Sequence, residues 1–473
     1  MDRRRALGLI GAGLTTAAFP AIAKRPRKTP NFVIVLADDW SWPHASLAGD
    51  SVVNTPWFDR VASEGMHFSN AFVSSPSCAP SRAALLTGRY NWELEQAANM
   101  WGSFPKKFTC FPTILENKGY QIGFQGKGWS PGVIFLHGRM RNPAGRRFRS
   151  FGQFLRARKS NQPFYYWYGS RKPHRKYING SGAANGIDPA SVTVPAHLPD
   201  CEEVRNDIAD YYLEVQQFDQ QLGEVYRSLQ SAGELENTVI IVTSDNGMPF
   251  PRCKANLYDL GTRVPLCIRW PGVTQAGSCF GGLVSLVDIA PTILTALGDG
   301  EAKQLSGDSL LPVLDGSENP SLDTSFELTG RERHIAAQSE SRAGYPMRSL
   351  RTKDFLYIRN FAPQRWPAGS PPEYRDVDRS PTKNYMLEHK DEPRVQQLYE
   401  LAFGKRPAEE LYDLRADPWQ IHNIAQDTQH EKRKNAMRDI MEQRLTATGD
   451  PRVLGNGNVF DSYRYYMFKR VYQ

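Results

Sequence analysis

The stretch "NFVIVLADDW", Asn31–Trp40, places six apolar residues in a row directly before two carboxylates. An unbroken apolar run of this kind, rich in branched side chains, predicts a strand buried on both faces, as in a parallel sheet covered by helices. The pattern recurs three times. "NTVIIVTSDNG" (237–247) is a second buried strand, ending in Asp245-Asn246-Gly247. "GYQIGFQGKG" (119–128) alternates and runs into Lys127, and "PFYYWYGSRKPH" (163–174) is an aromatic strand leading to His174. Helical patterns lie between them. The clearest runs from Glu202 to about Gln230, with apolar residues from Val204 to Leu229 at gaps of three and four and Gly233 as a stop. Strands alternating with helices predict an α/β sandwich, a large mostly parallel or mixed sheet between helical layers, whose sites gather beyond the carboxyl ends of the strands. All four polar tips fall at such ends.

The 473 residues suit one large domain and a smaller one. With 40% hydrophobic and 23% charged residues, the composition is that of an ordinary enzyme and excludes a disordered or membrane-embedded chain. No apolar run approaches the roughly 20 residues needed to span a bilayer. The opening "MDRRRALGLIGAGLTTAAFPAIAKRP" has the three parts of an export signal: Arg3–Arg5, an apolar middle, and the small-x-small site Ala21-Ile22-Ala23. The adjacent arginines suit the twin-arginine route, although an ordinary secretory signal or a short anchor reads similarly. We therefore expect a signal over 1–23, a catalytic domain over 24–345, and a periplasmic or extracellular protein without an integral membrane segment once the signal is removed. Past Tyr345 short strands and loops give way to a final amphipathic helix with Met437, Ile440, Met441 and Leu445. This predicts a smaller α+β domain over 346–473 with a short antiparallel sheet.

Removing residues 1–23 takes away three arginines and Asp2, so a net charge of +8 becomes +8 − 2 = +6. A basic exported protein suits an acidic partner. Between His137 and Ser160 there are eight Arg or Lys and no Asp or Glu, and "SRKPHRKY" adds four basic residues around His174. Such a run fits a polyanionic chain such as a sulfated polysaccharide, or is simply a solvated loop. Nothing resembles a nucleic-acid-binding module. The six cysteines show no zinc spacing, and with Cys78 set aside at most two disulfides can form.

Asp38, Asp39, Asp245 and Asn246 make an oxygen-only set, which suits a hard divalent cation, Ca²⁺ or Mg²⁺, and not zinc. Either pair alone could be a turn or helix cap. Two pairs at matching strand ends favour a cation, which removes the cost of adjacent carboxylates. In "SPSCAPSRAALLTGRY" (75–90) a helix starting at about Pro80 puts Cys78 at its amino end, a seat for an anion, with Arg82 one turn on. A thiolate nucleophile would want a nearby histidine base, and the local sequence has none.

"CAPSRAALLTG" fits C-x-P-S-R-x-x-x-L-T-G and resembles the signature of type I sulfatases. The resemblance covers nearly all of the chain after the signal. It includes the two metal strands, the Gly-Lys strand, "KPHRKY", "KANLYDLGTRVPLCIRWPG" and the carboxy-terminal "ELYDLRADPWQIHNIAQD". "SDNGMPFP" and "YPMRSLRT" look most like the heparan N-sulfatase (sulfamidase) branch and its bacterial polysaccharide-sulfatase relatives.

The resemblance implies an alkaline-phosphatase-like fold and a sulfated carbohydrate substrate. It also implies oxidation of Cys78 to Cα-formylglycine by the formylglycine-generating enzyme, which reads Cys78, Pro80 and Arg82. Modification precedes folding, which suits export of a folded protein. The family pattern gives a calcium ion (Mg²⁺ is the lesser alternative) to Asp38, Asp39, Asp245, Asn246 and the modified Cys78. Arg82 steadies the modified residue, Lys127 and Lys254 clamp the sulfate, and His174 is the general acid. The hydrated aldehyde would attack sulfur through one hydroxyl and expel sulfate through the other. One departure stands out: the family commonly has a histidine two places after the Gly-Lys lysine, where this chain has Trp129, so either another histidine, with His137 and His44 the candidates to inspect, contributes or the role is dispensable in this branch. A phosphoester or phosphonate hydrolase on the same scaffold, or an inactive glycan-binding protein, are the alternatives.

Overall fold

In a computed structural model, which describes residues 29–317, 322–339 and 341–467, the opening apolar run forms strand β1 (Asn31–Ala37), buried along its whole length. The export signal expected over 1–23 lies outside the described residues. Successive β1 side chains enter opposite cores: Phe32, Ile34 and Leu36 on one face, Val33, Val35 and Ala37 on the other. This is why the run is apolar throughout and does not alternate.

The other strands of the large sheet are β2 (Met66–Phe72), β3 (Gln121–Gly126), β4 (Arg146–Arg147), β5 (Phe164–Gly169), β6 (Thr238–Ser244), β7 (Arg263–Arg269) and β8 (Ser278–Ser285). Their order is β4-β3-β5-β1-β6-β7-β2-β8. The first five run parallel, β7 is antiparallel to both neighbours, and β8 is parallel to β2. The sheet is therefore mixed with a parallel majority, in the alkaline-phosphatase-like arrangement expected. The helices covering it are α1 (Pro56–Ser63), α2 (Cys78–Thr87), α3 (Phe111–Asn117), α4 (Glu202–Ser231) and α5 (Ile289–Ala296). Side chains of α2, α3 and α5 fill one core, and those of α1 and α4 the other. The α4 stripe from Val204 to Leu229 is buried as its spacing predicts, and Gly233 beyond it takes a φ of +68°.

A second sheet has the order β12-β11-β10-β9, built from β9 (Phe326–Arg331), β10 (Met347–Thr352), β11 (Phe355–Asn360) and β12 (Glu409–Asp413), all antiparallel. It thus starts on the amino-terminal side of residue 345, where the smaller domain was expected to begin, because β9 completes its edge. Helix α6 (Glu431–Ala447) packs Met437, Met441 and Leu445 against Leu350, Phe355 and Tyr357. Ile440 does not join them: it stands off that stripe and is 40% exposed. The opposite face of the sheet holds Leu257 and Tyr258, so it backs the loop that carries Lys254. All six cysteines are free thiols. No described helix is long and apolar enough to cross a membrane.

Register delivers the polar tips together. Ala37 pairs with Ser244, Leu36 with Gly169, and Gly169 with Gly126, so four parallel strands end level and their next residues emerge side by side. The fit is tight, since a Cβ at Gly169 would meet the Lys127 carbonyl oxygen at 1.8 Å. Gly169→Ala should therefore cost at least about 1–3 kcal/mol, the usual price of overpacking, read as a lower denaturant midpoint with an unchanged slope; an unchanged midpoint would contradict this account of the strand ends.

Candidate active site

Helix α2 begins where Ser77 leaves extended backbone (φ −147°, ψ 137°) and ends at Gly88, left-handed at φ +64°. Cys78 is its first residue, two places before the expected start. Pro80 is tolerated because N–H groups in the first turn have no partner inside the helix. All ten α2 residues are buried. Trp129, fully buried, pins the helix by donating its indole N–H to the Ala79 carbonyl at 3.0 Å. The residue that departs from the family pattern therefore holds the first turn of α2 in place.

The Cys78 Sγ lies 3.4 Å from Asp38 Oδ1 and 3.9 Å from Asp39 Oδ1. Ligand atoms of Asp38, Asp39, Cys78 and Asp245 all lie within 4.8 Å of one another. Asn246 donates its amide N–H to Asp39 Oδ1 at 2.8 Å, while its own Oδ1 is buried without a hydrogen-bond partner. A buried orphan acceptor on a residue that touches the carboxylate cluster is what a cation would satisfy, and an oxygen-rich set fits a hard divalent ion. Asp39 adopts φ +79°, a conformation costly for a residue with a Cβ and common where function demands it.

Three cationic side chains face these three carboxylates. Arg82, fully buried, donates from Nε to Asp245 Oδ2 at 2.7 Å and from Nη1 to the Lys127 carbonyl at 2.7 Å. Lys127 Nζ reaches both Asp38 oxygens at 2.6 and 2.8 Å. Lys254 Nζ lies 2.7 Å from Asp39 Oδ2 and 3.3 Å from Asp378 Oδ2. His174 is partly exposed, with Nε2 3.9 Å from Asp39 Oδ2 and Nδ1 2.6 Å from the Arg175 carbonyl. A carbonyl only accepts, so Nδ1 carries a proton and Nε2 faces the site.

Burial shapes the protonation states. It opposes ionisation of Asp38, but Lys127, His174, Arg82 and Lys254 together hold that carboxyl well below the usual range. Asp245 is pushed up to about 6 by burial, against Arg82 and with help from Asp38 and Asp39. Burial and Asp245 drive the Cys78 thiol well above its ordinary value. An unmodified Cys78 is thus a neutral thiol here, a poor nucleophile.

Neither histidine singled out as a replacement reaches this point. His44 binds the Tyr212 hydroxyl at 3.0 Å and Asp50 at 3.2 Å, on the α4 side, and His137 lies exposed in a loop. The structure instead brings in His334, which no local pattern marks in the sequence. It is buried, with Nδ1 2.7 Å from the Ser77 hydroxyl, the group that would otherwise cap α2. Burial, Lys254 and Arg331 hold it well below its ordinary pKa, so it stays neutral. Asp378, whose carboxyl Lys254 and His174 hold below the usual range against burial, was also missed. No motif marks either residue, because loops beyond β9 and β11 deliver them.

A model described as sulfatase matches residues 30–131 and 147–299, and one described as N-sulphoglucosamine sulphohydrolase, C-terminal, matches 253–359. The chain belongs to the sulfatase family, and its enzyme class is sulfuric ester hydrolase. It is 30% identical to the N-sulphoglucosamine sulphohydrolase of Homo sapiens, over 92% of this chain and 93% of that one. An ulvan-active sulfatase of Formosa agariphila is 27% identical over 89% of this chain and 75% of its own length. Among solved structures, BT4656 in complex with its substrate D-glucosamine-2-N,6-O-disulfate superposes with a TM-score of 0.61 at 21% identity, covering 90% of this chain and 99% of that one.

A cation ligand must be deprotonated, so with Asp245 among a cation's ligands metal affinity would follow pH. Calcium should raise the melting temperature at pH 7.5. Its affinity should fall by up to about tenfold per unit as pH drops below about 6, where Asp245 takes up a proton. Titration calorimetry at pH 5 and 7.5 checks this; equal affinities would remove Asp245 from the ligand set, and Asn246→Ala should weaken binding at both pH values.

Proposed function

We propose that the protein is an exported sulfatase that removes sulfate from a sulfated carbohydrate, with Cys78 converted to Cα-formylglycine by the formylglycine-generating enzyme. The observation that carries this reading is the position of Cys78. It is the first residue of a buried helix, within 3.4 Å of an acidic strand end and beside three cationic side chains, where a thiol is too hard to ionise to serve as it stands. Converted and hydrated, the residue supplies an oxygen nucleophile toward sulfur and a second hydroxyl for releasing the sulfate.

The donor set fits calcium: Asp38, Asp39, Asp245 and Asn246, with the oxygen that replaces the Cys78 sulfur. The ion would supply Lewis-acid polarisation of the sulfuryl oxygens. The chain's own groups do the rest. Arg82 favours an anionic oxygen at position 78 and is locked in place by Asp245 and the Lys127 carbonyl. Lys127 and Lys254 hold the sulfate oxygens and the charge that grows on them. His174, its Nδ1 proton fixed on the Arg175 carbonyl, delivers a second proton from Nε2 to the departing oxygen or nitrogen. His334 orients Ser77 at the start of α2.

N-sulfated glucosamine is the substrate favoured by the similarity to the human N-sulphoglucosamine sulphohydrolase, which spans both regions of the chain. Sulfate release from glucosamine 2-N-sulfate and from 6-O-sulfated N-acetylglucosamine tests it directly. The N-sulfate should be preferred, and the opposite preference would place the enzyme among O-sulfatases. Cys78→Ala should abolish release from either while leaving the melting curve intact. His174→Ala should slow sugar substrates by about 10²–10⁴-fold and an aryl sulfate, whose leaving group needs no proton, much less. Equal losses on both would contradict the acid role.

A further inference from the structure

The basic run that surrounds His174 in sequence separates in space into two groups. Half of it is structural. Arg139 is buried and donates to the carbonyls of Phe104, Pro105 and Phe108. Arg141 pairs with Glu116, Arg158 with Glu234, Lys172 with Glu214 and Arg175 with Asp207. Arg146 lies over the Phe148 ring. Six members, Arg147, Arg149, Arg156, Lys159, Arg171 and Lys176, do neither and are exposed, and of these Arg147 and Arg171 line a common cavity. Arg147, on the edge strand β4, and Arg171, just past the end of β5, are exposed and have no hydrogen-bonding or ion-pair partner for their guanidinium groups among the described residues.

These two arginines converge on one cavity of about 50 Å³, lined also by Lys127, Trp129, Ser130 and Ile134. No carboxylate lines it. Its volume is several times the roughly 10–15 Å³ that a single water requires, room for a small oxyanion but not for a sugar ring. The cavity is firmly built: Asn142 accepts the Trp129 N–H at 3.1 Å and donates to the Trp129 carbonyl at 3.1 Å. Both ends of the wall lead to the catalytic groups. Lys127 holds Asp38, and the Arg171 carbonyl accepts the His174 N–H at 3.1 Å.

We infer that this cavity is a second anion subsite, which takes an oxyanionic substituent of the substrate, a further sulfate or a uronic carboxylate, while the scissile sulfate sits at Cys78. Two unpaired guanidiniums over a floor without acidic groups suit a tetrahedral or planar oxyanion through forked N–H donors. The inference rests on the sulfatase reading and sharpens it: the enzyme selects sugars carrying more than one anionic group, and the selection is made at the edge of the sheet beside Lys127.

The test uses full-length Cys78→Ser protein, which binds without turnover, titrated calorimetrically with D-glucosamine-2-N-sulfate, D-glucosamine-2-N,6-O-disulfate and an N-sulfated glucosamine linked to glucuronic acid. Either the disulfate or the uronate-linked sugar should bind more tightly than the monosulfate, by about tenfold for one set of charge-assisted bonds, and which one does identifies the anion. Adding Arg147→Ala and Arg171→Ala should erase that advantage and leave monosulfate affinity unchanged, while Arg147→Lys and Arg171→Lys should restore part of it. No advantage in the parent protein, or an equal loss for every ligand in the double variant, overturns the subsite. Sulfate release by the protein with Cys78 intact is measured in parallel. Absent release with discrimination retained would sink the sulfatase reading alone.

Discussion

The level ends of β1 and β6 force the rest of the site. Pairing Ala37 with Ser244 places Asp38, Asp39 and Asp245 in one buried cluster at the sheet edge. Three carboxylates removed from water repel one another and lose solvation worth several kcal/mol each, so the fold must bring compensating charge to the same place. It does so with Arg82, Lys127 and Lys254, drawn from α2, the end of β3 and the loop after β6. Three positive side chains only balance the cluster. A divalent ion would leave a surplus of positive charge, the condition under which a sulfate monoanion is held and the charge developing on it is stabilised.

The same constraint explains features that look incidental alone. Arg82 spends its guanidinium on Asp245 and on backbone carbonyls of the Lys127 loop, so α2 and β3 are tied through one side chain. Trp129 ties them again from the other direction, through Ala79. The second sheet supports Lys254 from behind, through Leu257 and Tyr258. Ser77 gives up its capping bond to pair with His334, so the first turn of α2 is held from the carboxy-terminal part of the chain. Both parts of the fold are therefore needed to fix the position of residue 78.

Much of this was legible in the sequence, for a physical reason. Buried parallel strands read as unbroken apolar runs, and the polar residues at their ends stand out against them, so Asp38, Asp39, Lys127, Asp245 and Asn246 could be named from pattern. The α4 stripe was legible because a long helix repeats its spacing many times. Where the signal was short or the partner distant, reading failed. The amphipathic pattern includes Ile440, although only Met437, Met441 and Leu445 keep the stripe. Proline in a first turn looks like a first residue, so the pattern puts the start of α2 at Pro80 and not at Cys78. His334 and Asp378 carry no local mark, since tertiary folding alone brings them to Lys254. The basic run from His137 onward could not be sorted in sequence into structural ion pairs and free guanidiniums.

The central claim is chemical: residue 78 works as something other than cysteine. The most direct measurement is the mass of the peptide containing position 78, from protein purified out of its native host and digested after treatment with a thiol-alkylating reagent. The account expects the mass of the aldehyde or its hydrate, with no alkylated form. A fully alkylated, unmodified cysteine in the mature protein would contradict it.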